Sequence, residues 1–388
     1  MTTFGELSTQ GALLFSDGYR TKHDQLGSTG FRVLRVADVQ HGWVTLDGDD
    51  FVVPEYAPQI GAKAAMEGDV LLTTKGTIGR VAVIGDLGAQ QVVYSPQLCF
   101  FRVLDHERIS SRYLRYWLSS NEAVHQISIY SGNTDMAPYL SLRDLKSMRL
   151  TLPALHEQEG IAGVLGALDD KIAANRRVIA TADTLRATLW LRLCRDSEPR
   201  PLSGLSRFIN GRAFTKGATG TGRVVVRIAE LNSGLSGSTV RNDIDVADDH
   251  VARPGDFLMA WSGSLTAARW FRDEAIVNQH IFKVIPTEGR SLWSVACAVD
   301  SKMADFKHEA AGKATTMGHI QRRHLDEPVL WPVLNDESEA QGQALWERAL
   351  VAERENETLA KIRDELLPLL MSGKITVRDA EKRVEGVV

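Results

Sequence analysis

The sequence contains few of the residues that build disulfide or metal frameworks, with three cysteines in 388 residues. Cys99, Cys194 and Cys297 are far apart and odd in number, so they predict neither a disulfide framework nor a zinc site. No run of about 18 apolar residues occurs, which predicts no membrane span. The first residues lack a basic start followed by an apolar run, so no signal peptide is expected. These absences favour a protein of a reducing cytoplasm.

Sequence patterns of common catalytic sites are also missing. No phosphate loop ending in Gly-Lys-Ser/Thr occurs, and the glycine-rich segment 217–222 precedes a predicted strand instead of following one. The chain has no Pro-Pro pair, so it lacks the Asp/Asn-Pro-Pro-aromatic tetrapeptide of amino-methyltransferases. It has no Glu-x-Lys, the usual ending of a nuclease metal site. The ten histidines are dispersed, and none forms a metal-ligand pattern. These absences favour a chain without catalytic residues, without a bound metal and without a cofactor of its own, and they leave open a nuclease or methylase whose site is not recognised.

Charge is distributed unevenly, although the net charge is only −4. Residues 200–325 hold 17 basic and 12 acidic side chains, whereas residues 326–388 hold 8 and 14. The first 152 residues hold 14 basic and 16 acidic side chains. A basic globular segment suits nucleic acid, and an acidic helical segment suits a protein partner better than DNA.

The chain contains an internal repeat whose period is nearly half of its length. Similar strings recur in the same order, which is hard to attribute to chance. The pairs are FRVLRVADV (31–39) with RVVVRIAEL (223–231), GDVLL (68–72) with GDFLM (255–259), GT (76–77) with GS (263–264), FFRV (100–103) with IFKV (281–284), and GNTD (132–135) with GKAT (312–315). Each half closes on a proline, at Pro153 and Pro332. The chain is therefore predicted to contain two diverged copies of one unit.

Within each copy, the hydrophobic pattern changes from short strands to helices. Apolar runs at 31–36, 69–73, 80–84 and 98–103 predict strands, and 110–127 and 292–309 predict helices. After each proline, apolar residues at spacings of three and four predict long helices over 155–193 and 338–371. Pro368 is expected to end or kink the second helix. The segment EPRPL (198–202) is expected to be a stiff linker.

Two polar residues interrupt the apolar seams of the long helices. Asn175 occupies a seam position of the first helix, where a buried asparagine would fix the helix register and a solvated one would not. Glu355 stands in the second helix where a core residue would be expected. The pattern alone leaves both alternatives open for Asn175.

These features together resemble the specificity (S) subunit of type I restriction-modification systems. The resemblance rests on GDVLLTTKGTIG (68–79), LSLRDL (140–145), HEQE (156–159), LDDKI (168–172) and LLPLLMSGKI (366–375), and it extends from about residue 4 to 377. One departure is the sequence NDES (335–338), where the second helix should begin with a clearer Glu-Gln pattern.

The resemblance implies an α+β protein with two mixed α/β target-recognition domains. Two long helices forming an antiparallel coiled coil would separate them, with a pseudo-twofold internal repeat. The implied segments are recognition domain 1 (1–153), helix 1 (154–196), recognition domain 2 (197–333), helix 2 (334–377) and a C-terminal tail (378–388). Each domain would read one half of a bipartite, asymmetric site in double-stranded DNA.

The resemblance also implies partners that supply the chemistry. The helices would dock methyltransferase subunits, expected in two copies, which use S-adenosylmethionine on adenine N6. Restriction subunits that use ATP and Mg²⁺ would join the complex. No membrane partner is expected, and the resemblance implies a bacterial or archaeal cytoplasm. The alternative is a coiled-coil adaptor whose globular domains bind proteins.

DNA contacts are expected from basic and hydroxyl- or amide-bearing side chains in the glycine loops, because such groups reach phosphates and base edges. The candidates are Arg20, Lys22, Thr74, Lys75, Thr77, Arg80, Asn133 and Thr134 in the first copy, and Arg212, Lys216, Ser262, Ser264, Thr266, Arg269, Lys313, Thr315 and Thr316 in the second. Candidates for partner binding on the helices are Ile161, Leu165, Leu168, Ile172, Leu359, Ile362 and Leu366.

Overall fold

A computed structural model of the protein describes residues 1–132, 138–287, 289–311 and 318–387. The chain divides into two compact units. Unit 1 comprises residues 1–171 and 359–388, and unit 2 comprises residues 172–358. Both long helices contribute to both units, whereas the segments predicted from sequence follow one another along the chain. The predicted segment boundaries stay a prediction.

The described chain contains short strands, several shorter helices and two long helices. The strands are β1 Thr2–Thr3, β2 Leu13–Asp17, β3 Leu26–Gly27, β4 Phe31–Leu34, β5 Phe51–Val52, β6 Val70–Thr73, β7 Val81–Val83, β8 Val92–Tyr94, β9 Leu98–Val103, β10 Arg149–Leu150, β11 Glu198–Pro201, β12 Ser206–Asn210, β13 Arg223–Val226, β14 Arg241–Asn242, β15 Val251–Ala252, β16 Phe257–Ala260, β17 Thr266–Arg269, β18 Ala275–Val277, β19 Ile281–Pro286 and β20 Pro328–Trp331. The α-helices are α1 Phe4–Thr9, α2 Ala57–Ile60, α3 Ser111–Leu118, α4 Asn121–Ser131, α5 Leu142–Ser147, α6 Leu155–Leu193, α7 Leu202–Leu205, α8 Ile228–Ser233, α9 Leu292–Ala311, α10 Asp336–Met371 and α11 Val377–Val384.

The two units contain corresponding sheets, which confirms the internal repeat. In unit 1 the strand order of the first sheet is β2-β9-β6-β7, and in unit 2 it is β12-β19-β16-β17. The second sheet of each unit is built on a parallel pair, β4 with β8 and β13 with β18. Each unit also has a two-stranded ribbon, β1-β10 or β11-β20. The fold is therefore of the predicted α+β class, with mixed sheets in both units.

Apolar side chains explain the strand positions. All four residues of β4, β6 and β16 are buried, as a strand covered on both faces requires. In unit 1 an aromatic group joins Phe4 to Phe101 and Trp117, with ring centroids 5.0 and 5.5 Å apart. In unit 2 Trp190 packs edge-on against Trp293 at 6.2 Å and Trp331 at 5.5 Å. Each unit thus has its own core.

Two local predictions were wrong. The segment 198–201, predicted to be a linker, is strand β11, and it pairs antiparallel with β20. Proline is compatible with such an edge strand, because the missing N–H is tolerated where no second neighbour needs it. The segment 110–127 forms two helices, α3 and α4, because Ser120 accepts a hydrogen bond from the Ala123 backbone N–H and caps a new helix.

The long helices are confirmed, and they run antiparallel within each unit. In unit 1 Asp169 of α6 contacts Arg363 of α10, while the earlier Gly160 lies against Val377, beyond the end of α10. In unit 2 Asn175 contacts Glu355, while the later Leu189 and Leu345 line one groove. Helix α10 continues for three residues beyond Pro368 and ends at Met371. Within the described residues, no helix is long and apolar enough to cross a membrane.

Candidate nucleic-acid interface

Four segments of unit 1 meet at one end of its first sheet, and we call this group the loop edge. They are the hairpin between β6 and β7, the turn 95–97 between β8 and β9, the loop after β2, and residues 138–140. Backbone hydrogen bonds join them. The Gln97 carbonyl accepts from Thr74 N at 2.8 Å, the Thr74 carbonyl accepts from Leu140 N at 2.9 Å, and the Tyr94 carbonyl accepts from Tyr19 N at 2.7 Å.

Unit 2 builds its own loop edge from the corresponding segments. The His280 carbonyl accepts from Trp261 N at 3.0 Å, and the Trp261 carbonyl accepts from Ile320 N at 3.0 Å. The Arg212 carbonyl accepts from Gln279 N at 2.8 Å. These bonds make Trp261 the counterpart of Thr74 and His280 the counterpart of Gln97. The two edges therefore share a backbone but carry different side chains.

A glycine in each unit allows the loop after the first strand to approach the neighbouring turn. A Cβ at Gly18 would lie 2.2 Å from the carbonyl oxygens of Tyr94 and Ser95. A Cβ at Gly211 would lie 2.1 Å from the carbonyl oxygen of Asn278. No side chain fits at these distances, so both glycines are required for the close approach of two backbones.

The structure brings most of the DNA candidates of unit 1 to the loop edge. Arg20, Lys22, Lys75 and Thr77 are exposed there. The Lys75 ammonium lies 5.9 Å from the centre of the Tyr139 ring. Two other candidates already have partners within the chain: buried Thr74 donates to the Gln97 carbonyl, and half-buried Arg80 donates to the Val39 carbonyl at 3.2 Å.

The candidates of unit 2 divide in the same way. Arg212, Lys216 and Ser264 are exposed, and Thr266 is half-buried. Ser262 is 4% exposed, and its position pairs with His319 as Lys75 pairs with Tyr139 in unit 1. Five further candidates, namely Asn133, Thr134, Lys313, Thr315 and Thr316, lie outside the described residues.

Arg269 is the candidate that the structure places elsewhere. It is 7% exposed, and its guanidinium binds both carboxylate oxygens of Glu353 at 2.8 and 3.0 Å. It also lies 4.5 Å from the Trp346 ring centre. The strand register explains the difference, since Arg269 pairs with Phe257 at the end of β17 that is remote from the hairpin. Arg269 therefore fixes β17 to helix α10 and is not available on the loop edge.

The helix residues predicted to bind partners lie inside the protein. Ile161, Leu165, Leu168, Ile172, Leu359 and Leu366 are at most 4% exposed, and Ile362 is half-buried. These side chains form the seam and the domain contacts of the helices. An apolar repeat in a sequence does not by itself distinguish such buried positions from an exposed docking face. Exposed apolar residues on the helices are instead Leu185, Leu191 and Val351, at 51%, 69% and 56%.

Sequence reasoning missed the aromatic part of the loop edge of unit 2. Trp261 stacks on Phe282 at 5.8 Å, tilts against His280 at 5.1 Å, and meets His319 at 6.5 Å. Its indole N–H donates to Asn210 at 2.8 Å. Gln97 and Tyr139 of unit 1 were missed as well, and both are exposed. The matched strings gave no signal, because Gln97 stands three residues before FFRV (100–103) whereas His280 directly precedes IFKV (281–284).

Electrostatics at the loop edge of unit 2 favour an anionic partner. Burial, together with the nearby positive charge of Arg212, lowers the pKa of His250, so this imidazole stays neutral at neutral pH. Arg212 and Lys216 are both exposed. Across the described ranges, no group of three or more His, Cys, Asp or Glu side chains could hold a metal ion.

Comparisons with known proteins agree with this arrangement. Residues 17–182 match the type I restriction modification DNA specificity domain family. A curated relative, the type I restriction enzyme MjaVIII specificity subunit of Methanocaldococcus jannaschii, is 23% identical over 160 residues. That match covers 40% of this chain and spans 37% of the relative's length.

The fold is shared with a solved structure, the S subunit of a type I restriction-modification system from M. genitalium. The TM-score is 0.53 at 15% sequence identity, and the match covers 93% of this chain and 94% of that one. The matched family domain ends within helix α6, and unit 2 repeats its sheets. Over residues 17–182 the chain therefore matches the type I restriction modification DNA specificity domain family, and the family resemblance predicted from its sequence is confirmed.

Proposed function

We propose that this chain is the DNA-sequence specificity subunit of a type I restriction-modification complex. Each unit would read one half of a bipartite site through its loop edge. The observation that carries the proposal is the repetition of one loop edge with different side chains, Thr74 and Gln97 in unit 1 against Trp261 and His280 in unit 2. Equivalent backbones with different polar groups are what two different half-sites require.

Exposed cations would supply the sequence-independent part of binding. Lysine and arginine neutralise phosphates and release counterions, and this positions the protein on the duplex. Lys75 in unit 1 and Arg212 and Lys216 in unit 2 are exposed at the loop edges. Hydroxyl and amide groups beside them can reach base edges in the major groove.

The helices would bind the methyltransferase subunits, in two copies. Their seam residues are buried, so the docking faces must use exposed positions. In unit 2 an apolar groove of about 480 Å³ runs between the helices and is lined by Leu185, Leu189, Ala344 and Leu345. In this proposal the partner binds S-adenosylmethionine and transfers the methyl group to adenine N6. Restriction subunits would add ATP- and Mg²⁺-dependent cleavage, and the complex would act in the cytoplasm.

Mapping methylated adenine across the genome tests the proposal. Cells that carry the intact gene should show a bipartite methylated sequence, and deletion of the gene should abolish it. A deletion strain with an unchanged methylation pattern would refute the proposal. The alternative, an adaptor that binds proteins through its globular parts, predicts no methylation change and no salt-dependent binding of duplex DNA by the assembled complex.

A further inference from the structure

One residue in each unit lies at the centre of the loop edge, exposed Gln97 in unit 1 and half-buried His280 in unit 2. Gln97 ends the turn 95–97, and His280 ends the corresponding turn 278–280. In both cases the main chain is already engaged, because the carbonyl accepts the N–H that anchors the hairpin, from Thr74 or from Trp261. The side chains at these positions are not needed for that bond.

The side chain of Gln97 has no structural use that the fold reveals. It is exposed, and its amide makes no hydrogen bond to any residue that the structure describes. An amide can donate and accept at once, which matches the N6 and N7 edge of adenine in the major groove. Gln97 thus offers base-reading chemistry at the point where the hairpin, the turn and residues 138–140 converge.

The backbone of His280 points to a functional side chain. Among the described residues, His280 is the one non-glycine with positive φ, at 74°. Glycine would adopt this conformation without steric cost, so a histidine there keeps a strained backbone in exchange for an imidazole. Such strain is concentrated at functional sites. The imidazole can donate to, or accept from, a base edge, depending on its tautomer.

The surroundings position this imidazole. The Trp261 ring lies 5.1 Å from it and is itself held by the bond from its indole N–H to Asn210. The Nδ1 atom of His280 and the Oδ1 atom of Asn278, in the same turn, are both buried and have no hydrogen-bond partner in the described chain. In unit 1 the Oγ atom of Ser95, which corresponds to Asn278, is also buried without a partner there. Unsatisfied polar atoms recur in both turns, which is typical of sites completed by a ligand or a water.

From these observations we propose that Gln97 and His280 are specificity-determining residues, one for each DNA half-site. Gln97 contacts a base pair of the half-site read by unit 1, and His280 contacts a base pair of the half-site read by unit 2. Trp261 is a positioning residue that holds the imidazole. This inference rests on the proposed function.

The test replaces each residue in the chromosomal gene and maps methylated adenine in cells that contain the complete complex. The variants are Gln97→Ala and His280→Gly, the latter chosen because glycine relieves the positive φ. Each variant should relax one base pair in one half of the methylated sequence, with discrimination at that base pair falling about 10-fold. The other half should stay unchanged. Controls are Gln90→Ala and His308→Ala, which replace exposed residues outside the loop edges.

Protein abundance and thermal unfolding of the purified variants exclude misfolding. His280→Gly should keep or raise the unfolding temperature while it relaxes recognition, and a merely structural residue would not behave in this way. Two results overturn the inference: both variants methylate the wild-type sequence with undiminished discrimination, or either variant accumulates normally but loses all methylation. Failure of the proposed function is distinguishable, because the parent strain would then show no methylation that depends on this gene.

Discussion

The side-chain amide of Asn175 on α6 donates to the Glu355 carboxylate on α10 at a distance of 2.7 Å. Asn175 is 4% exposed, so the buried alternative left open by its sequence position is the one adopted. The contact also explains why an acidic residue replaces an apolar one at position 355. Asn175 and Glu355 interrupt the apolar patterns of two different helices, and they form a hydrogen bond with each other across the seam. This bond defines the register of the two helices in unit 2.

Replacing Asn175 should therefore destabilise unit 2. We expect Asn175→Ala to lower the free energy of unfolding by about 2 kcal/mol, since a buried hydrogen bond to a charged group is lost. Urea denaturation followed by far-UV circular dichroism measures the change. A double-mutant cycle with Glu355→Ala should give a coupling of at least about 0.5 kcal/mol. Strict additivity of the two substitutions would show that the contact has no energetic role.

Arg269 provides a second test, because its contacts within the protein indicate a structural role and not DNA binding. We expect Arg269→Ala to lower the free energy of unfolding by about 3 kcal/mol, since it leaves the Glu353 carboxylate unpaired. Arg269→Lys should recover little, because one ammonium cannot reproduce the two-pronged contact. Arg207→Ala is the matched control: its ion pair with Asp249 is exposed, so the cost should stay below about 1 kcal/mol. Equal effects of Arg269→Ala and Arg207→Ala on stability would contradict this assignment.

The sequence predicted the repeated plan well and the individual contacts poorly. The long helix over 155–193 follows from its apolar spacing, and the matching strands follow from short strings such as GDVLL and GDFLM. These features depend on local pattern. The role of Arg269 does not depend on local pattern, because it is set by strand register and by contacts with helix α10, which is distant in sequence. The loop edge was only partly predicted for the same reason, since Trp261 and His280 have no similar residue in the first copy.

The Asp169 carboxylate in unit 1 should make stability depend on pH. Burial alone would raise the pKa of Asp169, but the charge of Arg115 and the hydrogen bonds from Tyr116 and Arg363 outweigh it and lower the pKa. A lowered pKa stabilises the fold at pH values above the unfolded-state pKa, about 3.9, and this stabilisation is lost as the pH falls through the folded-state pKa. Asp169→Asn should therefore cost most at neutral pH and progressively less below about pH 4.

Urea midpoints of wild type and Asp169→Asn between neutral and acidic pH measure this difference. Asp170→Asn is the control, because Asp170 is an exposed neighbour whose distance to Arg112 is 4.0 Å, and its substitution should change little at any pH. A stability difference for Asp169→Asn that is independent of pH would rule out the charge of this residue as its cause.

Alanine substitution of two glycines in the long helices should change the free energy of unfolding in opposite directions. A Cβ at Gly342 would lie 2.2 Å from the ring of fully buried Trp293, and a rigid indole cannot move aside. We expect Gly342→Ala to cost about 2 kcal/mol or more through overpacking. Gly163 is exposed with nothing within 4 Å of its Cβ position, so Gly163→Ala should stabilise the helix by about 0.5–1 kcal/mol. Thermal unfolding distinguishes them, and a tolerated Gly342→Ala would contradict the described packing.

Lys75 gives a prediction that separates phosphate contact from base reading. Its ammonium is exposed at the loop edge of unit 1 beside Tyr139, and it forms no ion pair within the described ranges. If it neutralises one phosphate, Lys75→Ala should weaken binding of the assembled complex to all duplex sequences alike. The slope of log affinity against log salt should become shallower by about 0.9.

Affinity measured at several salt concentrations, on cognate and unrelated duplexes, tests this prediction. Lys146→Ala removes an equally exposed charge from helix α5 and should leave the slope unchanged. A base-reading residue behaves differently, because its loss lowers affinity for the cognate duplex and leaves non-specific binding and the salt slope intact. A Lys75→Ala variant with an unaltered slope and reduced affinity for the cognate duplex alone would therefore reassign Lys75 from the phosphate backbone to a base edge.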